Sequence, residues 1–351
     1  MTASQALAVR RHREPARLVV PHDAPAGEWH AARNTGITAS RIATVLGISP
    51  FDSPFNLHWK MRGTLPEQPD NDVMSLGRHL EPWIADRFAG THPEWFQLEG
   101  GLWANRERPW QMCTPDRQLF TAPVRLDDGC AVDAATGGPE APVGLLEIKS
   151  SGSYDGWGAD GTDEIPVYYR AQVQWQLDTL GLTEAHVSCL FLSTRQIRNY
   201  TISYDPADVE LMRKAALGFL DQVQRGEAPA VDSHHATTTA LKALNADLDE
   251  DAEVEVPADL DEEYRRVRRE FAALEARKTE LENQIRQLMG AAKTAVHAGR
   301  KVAARSVYDT TGLDRERLRR EFPDAWAACR TTTRVDKLCP SRTNKKETST
   351  V

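Results

Sequence analysis

The chain has 351 residues, 40% hydrophobic and 27% charged, enough to bury a sizeable core and pointing to one catalytic-size domain plus a smaller extension. Its formal net charge of −8 excludes a simple basic nucleic-acid coat, while leaving open a locally basic cleft. No apolar run approaches the roughly 18–20 residues of a membrane span, and the start of the chain lacks the pattern of a secretory signal. The five cysteines form no CxxC pair, so a reduced, cytosolic compartment is expected, without a zinc or iron–sulfur site.

Residues 1–28 are rich in Arg and Pro, show no apolar period, and read as a flexible arm. From 28 to 46 the pattern turns helical, until Gly47, Ser49 and Pro50 break it. A second helix is expected over 54–61 and a polar loop over 66–72. A third helix follows, with Leu76, Leu80, Ile84 and Phe88 four apart; Pro82 inside it predicts a kink or a late start. Between 95 and 148, short alternating runs bounded by Gly, Pro and Asp read as strands, with a surface hairpin loop over 133–142. A helix over 166–180, the strands HVSCLFLS and QIRNYTISY, and an amphipathic helix over 206–225 complete an α/β (α+β) domain spanning 29–225.

Residues 226–257 read as an acidic linker. Beyond it Leu260, Tyr264, Val267, Phe271, Leu274, Leu281, Ile285 and Leu288 alternate at spacings of four and three, with Lys278 at the one polar position. That predicts a coiled-coil seam or a helical hairpin over 258–290. A small region, 291–338, and a polar, disordered tail, 339–351, follow.

The run GLLEIKSS, 144–151, carries the most chemistry. Strand alternation puts Glu147 and Lys149 on one face and Leu146 and Ile148 on the other, toward the core. Alone, this is equally a half-exposed strand with a local ion pair. Thr114-Pro115-Asp116-Arg117, alone, is a turn. Together, an Asp followed by a strand bearing Glu-x-Lys supplies two hard oxygen ligands and an ammonium. Magnesium prefers carboxylate oxygens. A lysine beside it can orient or deprotonate water, or offset charge on a pentacovalent phosphate. This is the smallest set for metal-assisted phosphodiester hydrolysis. Glu81 borders the apolar stripe of the third helix, and Gln172 stacks with Gln176 beside the apolar face of the 166–180 helix. By themselves these are a solvated helix glutamate and two packing-edge glutamines.

Five blocks, in order, resemble the YqaJ-type viral recombinases, the phage lambda exonuclease family of the PD-(D/E)xK nuclease superfamily. They are the segment from Arg33 to Phe51 with its TAS, VLG and SPF, the G-x2-LEP at Gly77 to Pro82, TPDR at Thr114 to Arg117, LLEIKSS at Leu145 to Ser151, and IPVYYRAQVQWQL at Ile165 to Leu177. The resemblance implies a restriction-endonuclease-like core, a central mixed sheet flanked by helices, here with a C-terminal helical coiled-coil extension. It implies that Asp116, Glu147 and the backbone carbonyl of Ile148 ligate Mg2+ (or Mn2+), that Lys149 positions the water nucleophile, and that Glu81 reaches a second metal or its water shell. Gln172 would support the site. Arg33 and Ser40 would hold a terminal 5′-phosphate, a task suited to an Arg fork and a hydroxyl; their seven-residue spacing predicts one shared helix face.

The activity implied is a Mg2+-dependent 5′-to-3′ exodeoxyribonuclease acting on double-stranded DNA ends, its 3′ tails passing to a single-strand annealing protein. A homo-oligomeric ring, as in trimeric relatives, would reconcile the acidic charge with a basic channel fed by Arg10, Arg11, Arg13, Arg17, Arg33 and Arg41. The setting implied is the cytoplasm of a bacterial host, from a phage or prophage gene. Two alternatives remain at this point: a non-catalytic DNA-end-binding scaffold and a structure-specific endonuclease. The chain departs from the pattern in the long gap between Asp116 and Glu147, filled around Gly137, and in Gln176, where related helicase-linked nucleases carry tyrosine.

Overall fold

The structure is a computed structural model that describes residues 15–66, 69–127, 129–247 and 249–340. The chain divides into two compact units, Met1–Ala246 and Asp247–Val351. The first begins with β1 (Ala16–Val20), α1 (Ala26–Arg33), β2 (Ile37–Thr38), α2 (Ala39–Val45), α3 (Pro54–Met61) and α4 (Asp72–Thr91). Strands β3 (Phe96–Glu99), β4 (Leu102–Asn105), β5 (Gln111–Cys113), β6 (Arg117–Phe120), β7 (Val124–Asp127), β8 (Cys130–Asp133) and β9 (Gly144–Ser151) follow. The unit closes with α5 (Val167–Leu180), β10 (Glu184–Phe191), β11 (Gln196–Ser203), α6 (Pro206–Arg225) and α7 (His235–Leu244).

Two sheets organise it. The larger has the order β11-β10-β9-β6-β3, with β9 and β10 parallel and the other pairs antiparallel. A parallel pair needs a crossover, and α5 is that crossover. The smaller sheet has the order β1-β4-β5-β2. Strand β9 is therefore interior, and its two faces are covered differently. Leu146 and Ile148 pack with Ile84, Ala85 and Phe88 of α4, while Leu145 joins the cluster holding Val173, Trp175 and Leu177 of α5. Local signals set the helix ends. Ser53 accepts from the Asn56 N–H ahead of Pro54, Asp205 caps α6, and α5 stops at Gly181, whose φ of 68° suits glycine.

Several expectations change. The expected helix over 28–46 is two helices parted by β2, which pairs with β5. Gly36 sits at the break because a methyl group there would overlap the Trp110 carbonyl. The supposed arm over 1–28 contributes β1, whose Ala16 and Val20 are buried against the smaller sheet; residues 1–14, with Arg10, Arg11 and Arg13, lie outside the described residues. The start of α4 is not delayed by Pro82, which is accommodated within one 20-residue helix capped by Asn71. The supposed linker over 226–257 contains α7, which packs Ala240 and Leu244 with Phe55 and Leu65 and bonds Thr237 Oγ1 to Ser53 Oγ at 2.8 Å. Its Thr-rich composition hides a four-residue apolar spacing. The 133–142 insert follows β8: a second turn, held by Asp133 through the N–H groups of Ala135 and Thr136, brings Pro139 back beside Val132.

The second unit holds α8 (Ala258–Met289), the hairpin β12 (Thr294–His297) and β13 (Arg300–Ala304), and the short α9 (Arg315–Glu321) and α10 (Pro323–Cys329). The heptad segment is one helix followed by a β-hairpin, so the helical-hairpin alternative is excluded. Pairs such as Arg265–Asp261 and Arg266–Glu270 line its polar faces. Tail residues 341–351 lie outside the described residues.

Candidate metal-dependent hydrolytic site

The site forms where the interior strand meets its neighbour. Asp116 immediately precedes β6, and the β6–β9 register sets Arg117 opposite Leu146. The Asp116 carboxylate thereby reaches the next residues of β9, accepting from the Ile148 N–H at 2.6 Å through Oδ2. Glu147 lies on the α5 side and is 2% exposed. One of its oxygens, Oε1, accepts from the Lys149 ammonium and from Gln172 Nε2, the latter at 2.5 Å. The other, Oε2, accepts from Gln176 Nε2 at 2.6 Å. Lys149 lies 5.0 Å from the centre of the Tyr169 ring. A cleft of about 330 Å³ opens beside it, lined by Gly77, Glu81, Ile148, Lys149, Ser150 and Tyr169 among others.

Burial and charge are in tension here. Desolvation pushes the Asp116 carboxyl well above the usual carboxylate range, and the neighbouring Glu147 and Glu81 charges push the same way; Lys149 and the Ile148 N–H oppose them. Burial disfavours the Lys149 charge, yet the Glu147 and Asp116 carboxylates outweigh it and hold the ammonium protonated above its ordinary value. A buried pair of carboxylates with excess negative charge is the setting in which a hard divalent cation gains most. Among the described residues no three His, Cys, Asp or Glu side chains group closely enough to hold an ion by side chains alone. Two carboxylates and a main-chain carbonyl are the donor set that fits.

The phosphate pair meets, but by another route than a shared helix face. Arg33 ends α1 and Ser40 lies in α2, and the turn between brings Arg33 Nη2 to Ser40 Oγ at 3.0 Å. Thr38 Oγ1 lies 3.1 Å from the same hydroxyl. Arg41, expected as channel charge, is buried and fastens this turn, donating to the Arg33 carbonyl and to Asn34 Oδ1. Glu81 stands across the sheet on α4, bonded to Arg117 Nη1 at 2.7 Å.

Residues 28–186 match the YqaJ-like viral recombinase domain. The chain is also similar to the uncharacterized protein YqaJ of Bacillus subtilis (strain 168), 24% identical over 308 residues, covering 85% of this chain and 89% of that protein. Similar solved structures include the alkaline exonuclease LHK-Exo from Laribacter hongkongensis, 20% identical over 57% of this chain and 94% of that one, TM-score 0.43. A phage-related exonuclease from Haemophilus somnus 129PT is 11% identical over 55% of this chain and 96% of that one, TM-score 0.37.

The matched segment holds Arg33, Ser40, Glu81, Asp116, Glu147, Ile148, Lys149 and Gln172, and has a mixed α/β architecture. Three of its residues were given no part in the site by the sequence. Gln176 is fully buried and bridges Glu147 to the Thr114 carbonyl, which Nε2 reaches at 3.3 Å. Its signal was the four-residue step from Gln172. Arg117 was read as part of a turn. Gly100 donates its N–H to the Asp116 carbonyl at 3.3 Å, and any side chain there would overlap the Pro115 carbonyl. Nothing in the sequence singles out that glycine, since its partner is 15 residues away.

Proposed function

We propose that this chain is a divalent-metal-dependent exodeoxyribonuclease that degrades one strand of linear duplex DNA from a 5′-phosphorylated end, 5′ to 3′. The observation that carries the reading is the junction of two buried carboxylates, Asp116 and Glu147, with the Lys149 ammonium beside a cleft. Asp116, Glu147 and the Ile148 carbonyl would hold Mg2+ or Mn2+, which when bound polarises the scissile phosphate and makes its water more acidic. Gln172 and Gln176 fix the rotamer of Glu147 by occupying both of its oxygens. Lys149 enters the cycle as a cation, so its first service is to orient the attacking water and offset charge gathering on phosphorus. The Arg33–Ser40 pair supplies a guanidinium and a hydroxyl for the terminal phosphate. The 3′ tail left behind is the substrate of a single-strand annealing protein. The exposed apolar stripe of α8, including Leu260, Phe271 and Leu274, fits self-association into a homo-oligomer.

The test uses linear duplex labelled separately at each 5′ and 3′ end, with magnesium, with chelator, and with Lys149→Ala protein. Release of 5′ label as mononucleotides, only with metal and only with Lys149, is expected. A circular duplex should stay intact, since an end-dependent enzyme cannot start on it; cutting of the circle points instead to an endonuclease. No release under any metal points to a DNA-end scaffold. Arg33→Ala should slow 5′-phosphorylated ends more than 5′-hydroxyl ends; equal loss on both would mean that Arg33 only packs.

A further inference from the structure

Helix α8 carries a complete heptad seam. Tyr264, Phe271, Lys278 and Ile285 take the a positions, and Leu260, Val267, Leu274, Leu281 and Leu288 the d positions. No residue of the helix is buried, and Phe271 and Leu274 are 61% and 69% exposed. The β12–β13 hairpin packs beside its C-terminal end, leaving a groove of about 580 Å³ lined by Ile285 and Met289 of the helix and Ala303 and Ala304 of the hairpin.

The seam matches itself in one orientation better than in the other. A parallel pair sets each seam residue against its own copy, so two Lys278 ammoniums meet in an apolar layer, at a cost in stability. A parallel three-stranded bundle gathers three. An antiparallel pair sets a against d instead. Over the full helix, Tyr264 then meets Leu281, Phe271 meets Leu274, and Lys278 meets Val267. Ile285 meets Leu260 of the other copy, which enters the groove beside it. In a parallel pair, by contrast, the two Ile285 would face each other, each with its own hairpin alongside.

The flanking charges fit the same register. In an antiparallel pair Glu270 faces Arg277 and Arg268 faces Glu275, each twice by symmetry, while Glu263 faces the neutral Gln284. Asp261 facing Glu282 is the one like-charge pair; Lys278, 3.6 Å from Glu282 in its own chain, lies on that side and offsets it. Sliding by one heptad either way sets Arg277 or Glu270 against itself. A parallel pair gains Glu263–Arg268 and Arg277–Glu282 but opposes Glu270 to Glu275, so the flanks alone are even. Lys278 and the groove break the tie.

We propose that α8 binds α8 of a second copy as an antiparallel two-stranded coiled coil, its two-fold axis passing between Ala272 and Ala273. A two-fold contact of this kind gives an assembly with an even number of chains. The inference rests on the self-association reading of α8 and is independent of the nuclease chemistry.

The experiment uses the full chain with Cys329→Ser and Cys339→Ser, which removes the exposed thiols of the described residues. Sedimentation should give an even number of chains. With a short bismaleimide, Leu260→Cys and Leu288→Cys chains should crosslink to each other when co-purified, and neither to itself. Like positions then lie about 37–46 Å apart, unlike ones about one helical turn apart. Glu270→Arg should weaken the pair about tenfold, and adding Arg277→Glu should restore it. The Arg266–Glu270 and Arg277–Glu280 pairs within each helix stay broken in the double variant, so the rescue acts between copies. In a parallel pair Glu270→Arg would instead meet Glu275 and tighten it. Tighter association of Glu270→Arg, crosslinking of like with like, or an odd number of chains would overturn the orientation and leave self-association standing. A monomer would overturn both. End-labelled cleavage, run alongside, tests the carboxylate site separately: its loss in the wild type would sink the nuclease reading alone.

Discussion

Replacing Gln176 with leucine separates the support of Glu147 from the stability of the fold. The substitution removes a hydrogen bond to a carboxylate, worth about 1.5–3 kcal/mol, and the longer one to the Thr114 carbonyl, worth about 0.5 kcal/mol. It also removes the buried Gln176 Oε1, which has no partner among the described residues and costs about 1–3 kcal/mol where it stands. Leucine fills similar space, so the terms largely cancel and the net loss is about 0–2 kcal/mol. At about 2–4 °C per kcal/mol for a unit of this size, the melting temperature should fall by only a few degrees. Glu147, however, is left with one oxygen unrestrained, and loss of such an outer partner typically lowers metal affinity or activity about 10–100-fold. The assay pairs a thermal melt with end-labelled DNA cleavage at saturating and at limiting metal. A variant that melts a few degrees lower yet cleaves at the wild-type rate would refute the reasoning. So would one whose lost activity is fully accounted for by unfolding.

Gly100→Ala should cost about 1–3 kcal/mol in denaturant titration and slow cleavage as well, because the methyl group pushes the Pro115 carbonyl beside Asp116; normal stability would remove that close approach from the argument. Burial holds His186 below the ordinary histidine range, against the pull of Glu184 at 3.4 Å. With the folded value depressed, its contribution is complete above the unfolded value near 6.5 and is lost as pH falls through the folded value. His186→Phe, stacking on Trp95 in its place, should therefore flatten the decline in melting temperature below about pH 6.5, and an unchanged slope would contradict this. Binding of duplex ends, followed by fluorescence anisotropy, should weaken steeply with salt if phosphate contacts dominate; a flat response would argue against a DNA cleft.

What the sequence disclosed, and what it hid, follows from the range of the interactions. Alternation along β9 correctly put Leu146 and Ile148 on the face away from Glu147 and Lys149, which the structure packs on α4, because period two is a local property. The long helices α4, α5 and α6 carried their own caps and stripes. Strand β1 was lost among arginines and prolines, since its partner β4 lies more than 80 residues on. The break between α1 and α2 depends on Trp110, which is also distant along the chain. At the site, Asp116, Glu147 and Lys149 were legible by type and spacing and Gln172 through the resemblance to a known family, and the structure brings them together. The bridging role of Gln176 and the engagement of Glu81 by Arg117 join separate elements, and no local pattern encodes them.

The long excursion from β6 to β9 leaves through β7, returns through β8 and turns again at Asp133, and none of its described residues bonds to the carboxylate junction. Its tip, at Ala134 to Thr136, is exposed. Loop tips of this kind tolerate change in length and chemistry, which makes the turn an attachment point. Cys113, Cys130 and Cys189 are buried, so serine at the exposed Cys329 and Cys339 would leave Ala135→Cys as the accessible thiol among the described residues. A single dye placed there would report on an incoming duplex without touching a residue that acts in the site.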